Sequence, residues 1–285
     1  MQWIPAGLSP EVAQQVVAIE GKTLRGSRDT NPSPIHLVWA FASEAGIVLG
    51  QRKTDQKSNE ITAIPEWLEW LDVRGALVTV EAMGCQKTIA EKIIGPGGDY
   101  LLALKGNQSS LPEDVELHFT QPTASSLAKM STAETLAQGH GRIEIRRCWL
   151  STDIEWLQHR HPQWSNLNSR VAIESERQVG ETISPETRYF ISSSLITAAK
   201  MLAAVRLPWG IENQLHWVLD VSFGEDQSRI RKGNAPTNLG IIRHAALNMI
   251  KSTENQRVSI KGMRKVMGWN NATLRNLLEQ TFLMR

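Results

Sequence analysis

Residues 16–27 read VVAIEGKTLRGS, and residues 77–86 read LVTVEAMGCQ. In each stretch four apolar or β-branched residues lead into a glutamate, Glu20 in the first and Glu81 in the second. Such runs are typical of buried strands, and the glycine-containing segments behind them are typical of turns. A carboxylate at the end of a buried strand is held at the rim of a sheet. The two stretches therefore predict an α/β sheet with an acidic rim.

A third carboxylate, Glu212, lies in the stretch LPWGIENQLHWVLD at residues 207–220. Apolar residues recur there at helical spacing and predict a buried stripe of four residues: Ile211, Leu215, Val218 and Leu219. Glu212 and His216 are four residues apart and share one helix face. Taken singly, each glutamate is more often a solvated cap, and Glu212 with His216 a solvent-side pair. Two strand-end carboxylates joined by a third from a helix can instead hold two divalent cations, an arrangement for phosphodiester chemistry.

Six ordered blocks carry a specific resemblance. They read AIEGKTLRGS (18–27), KTDQKSNEITAIP (53–65), VEAMGCQK (80–87), YLLALKGNQ (100–108), GHGRIE (139–144) and WGIENQLHWVLDVSFGED (209–226). In these blocks the chain resembles the H-repeat-associated (ISAs-type) insertion-sequence transposases of the DDE superfamily. The resemblance implies a ribonuclease-H-like mixed sheet flanked by helices, with a β-rich insertion before the last catalytic helix.

The resemblance also implies the chemistry of the site. Its catalytic, metal-binding triad would be Glu20, Glu81 and Glu212, holding two Mg²⁺ or Mn²⁺ ions. The implied partner is double-stranded DNA, both insertion-sequence ends and target, bound by a homodimer. The resemblance also implies that the protein is located in the bacterial cytoplasm, associated with the nucleoid.

The chain departs from the family pattern at both strand acids, where the family has aspartate. Each extra methylene moves a carboxylate outward by about 1.5 Å, whereas two-metal catalysis holds its ions ~3.5–4 Å apart. Pro208 also replaces a usual histidine, and family members carry an additional N-terminal region ahead of the first strand. We therefore expect slow or absent cleavage, with a non-catalytic DNA-binding remnant as the alternative. A third hypothesis, acid–base hydrolysis by paired glutamates, leaves the basic residues described next unexplained.

Charge is distributed unevenly along the chain. Residues 229–285 contain eleven Lys or Arg and two Asp or Glu, a local net charge of +9 that leaves −7 on the remainder. Such a segment indicates a polyanionic partner, although a solvated helix face remains the alternative. The candidate DNA contacts are Lys22, Arg25 and Arg206 near the acids; Arg142, Arg146, Arg147 and Trp149 along one predicted strand; and Arg229, Arg231 and Lys232 in the basic segment. For the strand group, a structural role is an equal alternative.

Periodicity predicts the order β-β-β-α-β-α-β for residues 16–104, with Asn59 as the N-cap of the first helix. We divide the chain into a first catalytic part (1–108), a β-rich insertion (109–193), a second catalytic part (194–252) and a basic helical C-terminal segment (253–285). Residues 120–126 are predicted to be a loop, and residues 271–283 a helix.

Composition bounds the remaining possibilities. A length of 285 residues with 41% hydrophobic content is enough for a sizeable core. No apolar run approaches the ~20 residues of a membrane span, and the opening MQWIP does not resemble a signal peptide. Two cysteines make neither a disulfide framework nor a zinc site, and Cys85 is predicted to be a small helix-start residue rather than a nucleophile. Four tryptophans in helical patterns are predicted to be core residues: Trp67, Trp70, Trp209 and Trp217.

Overall fold

The computed structural model describes residues 15–27, 34–54, 60–106, 110–139, 141–253 and 258–283. Nine strands form within these residues: β1 (Val16–Thr23), β2 (His36–Ala42), β3 (Ile47–Lys53), β4 (Leu77–Val80), β5 (Asp99–Ala103), β6 (Met130–Gly139), β7 (Arg142–Ser151), β8 (Ser169–Val179) and β9 (Thr182–Ser192). The helices are α1 (Glu60–Leu68), α2 (Lys87–Ile94), α3 (Leu111–Thr120), α4 (Ala124–Ala128), α5 (Glu155–Arg160), α6 (Ala198–Arg206), α7 (Trp209–Ile211), α8 (Trp217–Phe223), α9 (Ala235–Lys251), α10 (Ile260–Trp269) and α11 (Asn271–Leu283).

The first five strands form the sheet that positions the acids. Their order is β3-β2-β1-β4-β5, with β1, β4 and β5 parallel to one another and β2 antiparallel to its neighbours. Helices α1 and α2 connect β3 to β4 and β4 to β5. This arrangement confirms the predicted strand and helix order and the ribonuclease-H-like fold class. Asn59, the predicted N-cap of α1, lies outside the described residues.

The β-rich region after β5 extends the same sheet. Strand β9 pairs antiparallel with β5, Leu101 lying opposite Ser192, and the order continues β9-β8-β7-β6. Strand β6 was not predicted. Its residues, MSTAETLAQG, are exposed or half-buried on both faces, so the sequence lacks the alternation of apolar and polar residues that marks a strand with one buried face. Helix α4 begins inside the predicted 120–126 loop, with the Thr123 side chain accepting a hydrogen bond from the backbone of Ser126.

The two faces of the sheet are covered by different helices. Val17 and Ile19 of β1 pack with residues of α1 and α2 on one face. Ala18, on the opposite face, packs with Ile211, Leu215, Val218 and Leu219, the predicted stripe of the Glu212 helix. Because side chains alternate along a strand, Glu20 shares the face of Ala18. Glu20 therefore faces the helical segment that carries Glu212.

Helix α9 covers the edge strand β3. The backbone amide of Val48 donates to Asn248 Oδ1 at 2.9 Å, and Asn248 Nδ2 donates to the Val48 carbonyl at 2.7 Å. Lys251 Nζ donates to the Gly46 carbonyl at 2.6 Å. These bonds satisfy groups that an edge strand otherwise leaves open to another chain. Helix α9, which belongs to the positively charged stretch 229–285, is thus built into the body of the fold.

Two of the tryptophan predictions are wrong. Trp67 is 8% exposed as expected, but Trp70 is 60% and Trp217 is 57% exposed. Trp70 lies beyond the end of α1 at Leu68, so the helical stripe no longer governs its direction. Trp217 follows the helical turn that buries Leu215 but lies on the side away from that stripe. The side chain of Trp209 lies outside the described part of the chain.

Two further expectations concern buried thiols and membrane spans. Cys85 is fully buried, and burial raises the pKa of its thiol to about 12, which supports an inert residue over a nucleophile.

Among the described residues, no helix has both the length and the apolar character needed to cross a membrane.

Candidate active site

Glu20 and Glu81 lie level with each other on neighbouring parallel strands. Ile19 is opposite Val80 in the β1–β4 register, so the two glutamates are the next residues on each strand. Glu81 directly follows the end of β4, as predicted. Glu20, however, lies inside β1 rather than at its end, because β1 continues to Thr23 by pairing with β2.

Glu212 begins a π-helical turn between α7 and α8. This turn spans Glu212–His216, and wide turns of this kind occur often at functional sites. The Glu212 side chain is 74% exposed, and its Oε2 accepts a hydrogen bond of 3.0 Å from His216 Nδ1. His216 itself is largely buried and packs edge-on against Trp39, with 5.1 Å between ring centroids. The imidazole is thus a rigid support for an otherwise exposed carboxylate.

One cleft contains all three glutamates. Its volume is about 660 Å³, and its walls include Glu20, Glu81 and Glu212 together with Lys105 and Arg188. The strands contribute the floor, and the segment around Pro208 and Glu212 contributes one wall. Residues separated by almost 200 positions in the sequence therefore share a single solvent-accessible site.

Glu20 lies near several other acidic side chains. Burial, followed by the charges of Glu81, Glu212 and Glu60, raises the pKa of Glu20 to about 8. Glu60 accepts a 2.8 Å hydrogen bond from His36 Nε2 and lies directly over Gly21. A Cβ at Gly21 would come within 1.9 Å of Glu60 Oε1, so only glycine allows this approach. Glu60 is a fourth acid near the site that the sequence analysis did not select.

The donor set has the chemistry of a divalent-cation site. Mg²⁺ and Mn²⁺ prefer carboxylate oxygens. A bound cation would offset the repulsion between Glu20 and the acidic side chains around it. Within the described residues, however, no three His, Cys, Asp or Glu side chains lie close enough together to hold a metal ion as they stand. Glu20, Glu81 and Glu212 share the cleft without converging, since Glu212 is turned to His216, and the nearby Glu60 is turned to His36.

Lys22 was expected to contact a DNA phosphate, but its side chain is paired with two carboxylates of the protein. Its Nζ lies 2.9 Å from Asp220 Oδ1 and 3.1 Å from Glu225 Oε2, and its side chain is only 11% exposed. Arg243 approaches the other oxygen of Glu225 at 3.8 Å. This buried group joins β1 to α8 and the loop after it. In this structure Lys22 connects the elements that carry Glu20 and Glu212 and does not reach the cleft surface.

Strand alternation separates the candidate DNA contacts on β7. Arg142 and Arg146 lie on one face of the sheet, Arg147 and Trp149 on the other. Arg147 bonds Glu134, Glu174 and Glu176 at 2.8, 2.7 and 2.6 Å, and these carboxylates raise its pKa. Trp149 is half-buried. These four residues are therefore divided between the two faces of the sheet.

A second groove continues from the cleft along the sheet extension. It measures about 280 Å³ and shares Glu186, Arg188 and Val205 with the cleft. Arg146 lines it, with a 2.5 Å ion pair to Glu144, and the exposed Arg206 lines it from α6. Arg188 lies 2.8 Å from Glu186. Of the candidate contacts, Arg206 and Arg146 lie on this path, which begins at the three acids.

Lys105 and Arg188 were missed by the sequence analysis. Lys105 follows β5, the third parallel strand, at the same rim as Glu81 after β4, so the rule that selected Glu81 could also have selected it. Arg188 offered no comparable signal, because its place beside the cleft depends on the pairing of β9 with β5.

The remaining candidate contacts lie on two adjoining loops. Arg25, Arg229 and Lys232 are exposed, and Arg231 Nε lies 3.3 Å from the Gly26 carbonyl. The loop after α8 therefore packs on the turn after β1.

Comparisons by sequence and by structure find the following similar proteins. The family described as Transposase DDE domain matches residues 13–249. The Escherichia coli O157:H7 protein named "Putative transposase YncI" is 42% identical over 269 residues, covering 93% of this chain and 69% of that protein. The E. coli K12 protein named "H repeat-associated putative transposase YhhI" is 42% identical over 260 residues, covering 89% and 68%. A solved piggyBac transposase synaptic complex with hairpin DNA aligns with 93% of this chain and about half (54%) of its own, at 14% identity and a TM-score of 0.49.

Proposed function

Because the chain belongs to the DDE transposase family, we propose that it cleaves DNA at insertion-sequence ends and joins those ends to target DNA as a homodimer. The observation that carries this proposal is the single cleft that contains Glu20, Glu81 and Glu212. The family generally uses divalent metal ions. We assign the three glutamates as the residues that would hold two Mg²⁺ or Mn²⁺ ions.

The bound ions would activate the attacking water or 3′-hydroxyl and stabilise the leaving oxygen. The protein's own side chains attract the DNA and orient the carboxylates. Lys105 and Arg188 at the cleft wall attract the DNA backbone toward the acids, and Arg206 extends that attraction along the second groove. His216 holds one oxygen of Glu212, so that this exposed carboxylate keeps a defined direction.

A DNA-binding remnant is the second candidate function. It is favoured by the glutamates at both strand positions and by the lack of convergence among the carboxylates. Both candidates require affinity for DNA, and they differ in turnover.

Incubation with supercoiled plasmid DNA tests the proposal. We expect slow nicking in Mg²⁺ or Mn²⁺ and none in EDTA, with DNA binding followed in parallel by fluorescence anisotropy. Binding without any nicking supports the remnant. Nicking that persists in EDTA contradicts the assignment of a metal-dependent site.

We also predict that Mg²⁺ stabilises the protein more at pH 8.5 than at pH 6.5. The pKa of Glu20 is raised from 4.5 to about 8, so in the folded protein Glu20 keeps its proton through neutral pH. The stability that this proton brings is complete below pH 4.5 and is lost as the pH rises through 8. Since a cation must displace the proton, its apparent affinity should fall about tenfold per pH unit below 8.

Thermal melts with increasing Mg²⁺ at the two pH values measure this effect. Glu20→Gln is the matched control, because it removes the titrating group but keeps the side-chain size. In this variant the difference between the two pH values should disappear. An equal Mg²⁺ effect on the unmodified chain at both pH values would contradict the assigned role of Glu20.

A further inference from the structure

The last two helices form a compact unit at the end of the basic segment. Helices α10 and α11 are joined by Asn270 alone, whose extended backbone (φ −129°, ψ 99°) ends α10. The Asn270 side chain accepts hydrogen bonds from the backbone amides of Ala272 and Thr273 at 3.0 and 3.1 Å, and so caps α11. The chain therefore turns sharply from one helix directly into the next.

The unit is docked on the body of the fold. Met263 and Met267 of α10 and Leu277 of α11 are buried in one cluster with Ile250 of α9. The guanidinium of Arg264 stacks on Phe223 at the end of α8, 4.4 Å from the ring centroid. These contacts hold both helices against α8 and α9, which determines which face of each helix is exposed.

The exposed face of α11 carries side chains that can read DNA bases. Leu277 is 5% exposed, whereas Asn271, Arg275 and Asn276 are exposed to solvent. Asn271 and Arg275 are four residues apart and lie on the side away from Leu277, and Asn276 lies on a flank of the helix. Arginine pairs with guanine and asparagine with adenine through two hydrogen bonds in the major groove. The exposed Lys261 and Lys265 share one side of α10, four residues apart.

We propose that α10 and α11 form a helix-turn-helix that binds duplex DNA, with α11 in the major groove. Asn271, Arg275 and Asn276 would contact base edges, while Lys261 and Lys265 on α10 contact phosphates. An α-helix fits the major groove of B-form DNA, and the cationic surface complements the phosphate backbone. The unit would give sequence preference to a cleft whose own residues offer mainly charge. This inference rests on the proposed function only in taking DNA as the substrate.

Selection from a duplex library with 20 random base pairs tests the proposal. The full-length chain is used in EDTA, where no cleavage is expected, and bound DNA is sequenced after several rounds. We expect a consensus sequence for the unmodified chain, and about 5- to 150-fold weaker binding of Arg275→Ala to it. Arg74→Ala is the matched control, because it removes an exposed arginine next to Asp72, far along the chain from α11, and it should bind like the unmodified chain.

Arg275→Lys separates base reading from simple charge. It keeps the positive charge but loses the two-pronged hydrogen bonding of arginine, so it should retain the salt dependence of binding and lose most of the sequence preference. The proposal is overturned if the unmodified chain selects no consensus, or if Arg275→Ala selects the same one with equal affinity. Thermal melts of each variant check that folding is intact.

The outcome is independent of the cleavage test. A consensus that depends on Arg275, with no nicking in Mg²⁺ or Mn²⁺, would support the helix-turn-helix and reject the catalytic proposal. Metal-dependent nicking with an unchanged consensus in Arg275→Ala would do the reverse.

Discussion

The double variant Glu20→Asp, Glu81→Asp is expected to cleave DNA about a hundredfold faster than the unmodified chain in Mg²⁺ or Mn²⁺, since a misplacement on the order of 1 Å can reduce a rate by that factor. Glu20 and Glu81 lie level on neighbouring parallel strands, whose backbones are about 4.8 Å apart. Our hypothesis is that the extra methylene of each glutamate moves its carboxylate away from the position that two ions require. Shortening both by one methylene should bring them nearer the positions that two ions require.

Initial rates of strand cleavage on a labelled duplex measure the effect. The matched control is Glu91→Asp, Glu113→Asp, which makes the same chemical change at exposed positions of α2 and α3. Glu212→Ala, added to the double variant, should abolish cleavage if the three residues act together. A double variant that cleaves no faster than the unmodified chain would mean that side-chain length does not limit this site.

Lys22→Ala is expected to destabilise the fold by about 3–5 kcal/mol, the usual effect of removing one partner from a buried ion pair. Lys22 is 11% exposed, and the Glu225 side chain that it bonds is 1% exposed. Without Lys22, Asp220 and Glu225 would lose the cation that bonds both of them, and Arg243 would remain 3.8 Å from Glu225. Burial already raises the pKa of Glu225, and Lys22 opposes that increase.

Urea unfolding measures this loss, with Lys92→Ala as the matched control. Lys92 pairs with Glu69 on the surface, both being about half exposed, so its removal should change stability by less than about 1 kcal/mol. The Lys22→Ala effect should shrink at acid pH, because a protonated Glu225 no longer needs a partner. Unchanged stability with weakened DNA binding would instead support the phosphate contact that the sequence suggested for Lys22.

The sequence was most informative where burial is one-sided or complete. The apolar runs of β1, β2, β3, β4 and β5 predicted the first five strands, and helical periodicity predicted the two connecting helices. The length of these runs, their β-branched residues and the turns behind them distinguish the strands from helices. The strand-end glutamates and the stripe of the Glu212 helix suggested the three acids. The resemblance to insertion-sequence transposases then connected elements that local patterns leave separate, and the family match confirms it.

Local patterns failed where a residue's surroundings come from distant parts of the chain. Nothing in the polar sequence of β6 indicates a strand, and nothing near β9 indicates that it pairs with β5. Lys22 was read as a cation beside an acidic site, whereas its partners, Asp220 and Glu225, lie 198 and 203 residues away. Trp217 was predicted to be buried and is exposed because the helix turns its other side to the sheet.

The sequence by itself therefore determined the family and the order of the first strands and helices, since these depend on short-range periodicity and contiguous motifs. It also suggested the three carboxylates, whose catalytic role stays a prediction. Only the tertiary structure decided that the β-rich region continues the catalytic sheet and that Lys105 and Arg188 line the cleft of Glu20. It also decided that α9 covers the edge strand through Asn248. These outcomes depend on which surfaces meet. The packing of the whole chain, rather than any local run of residues, selects strand pairs and ion pairs between distant residues.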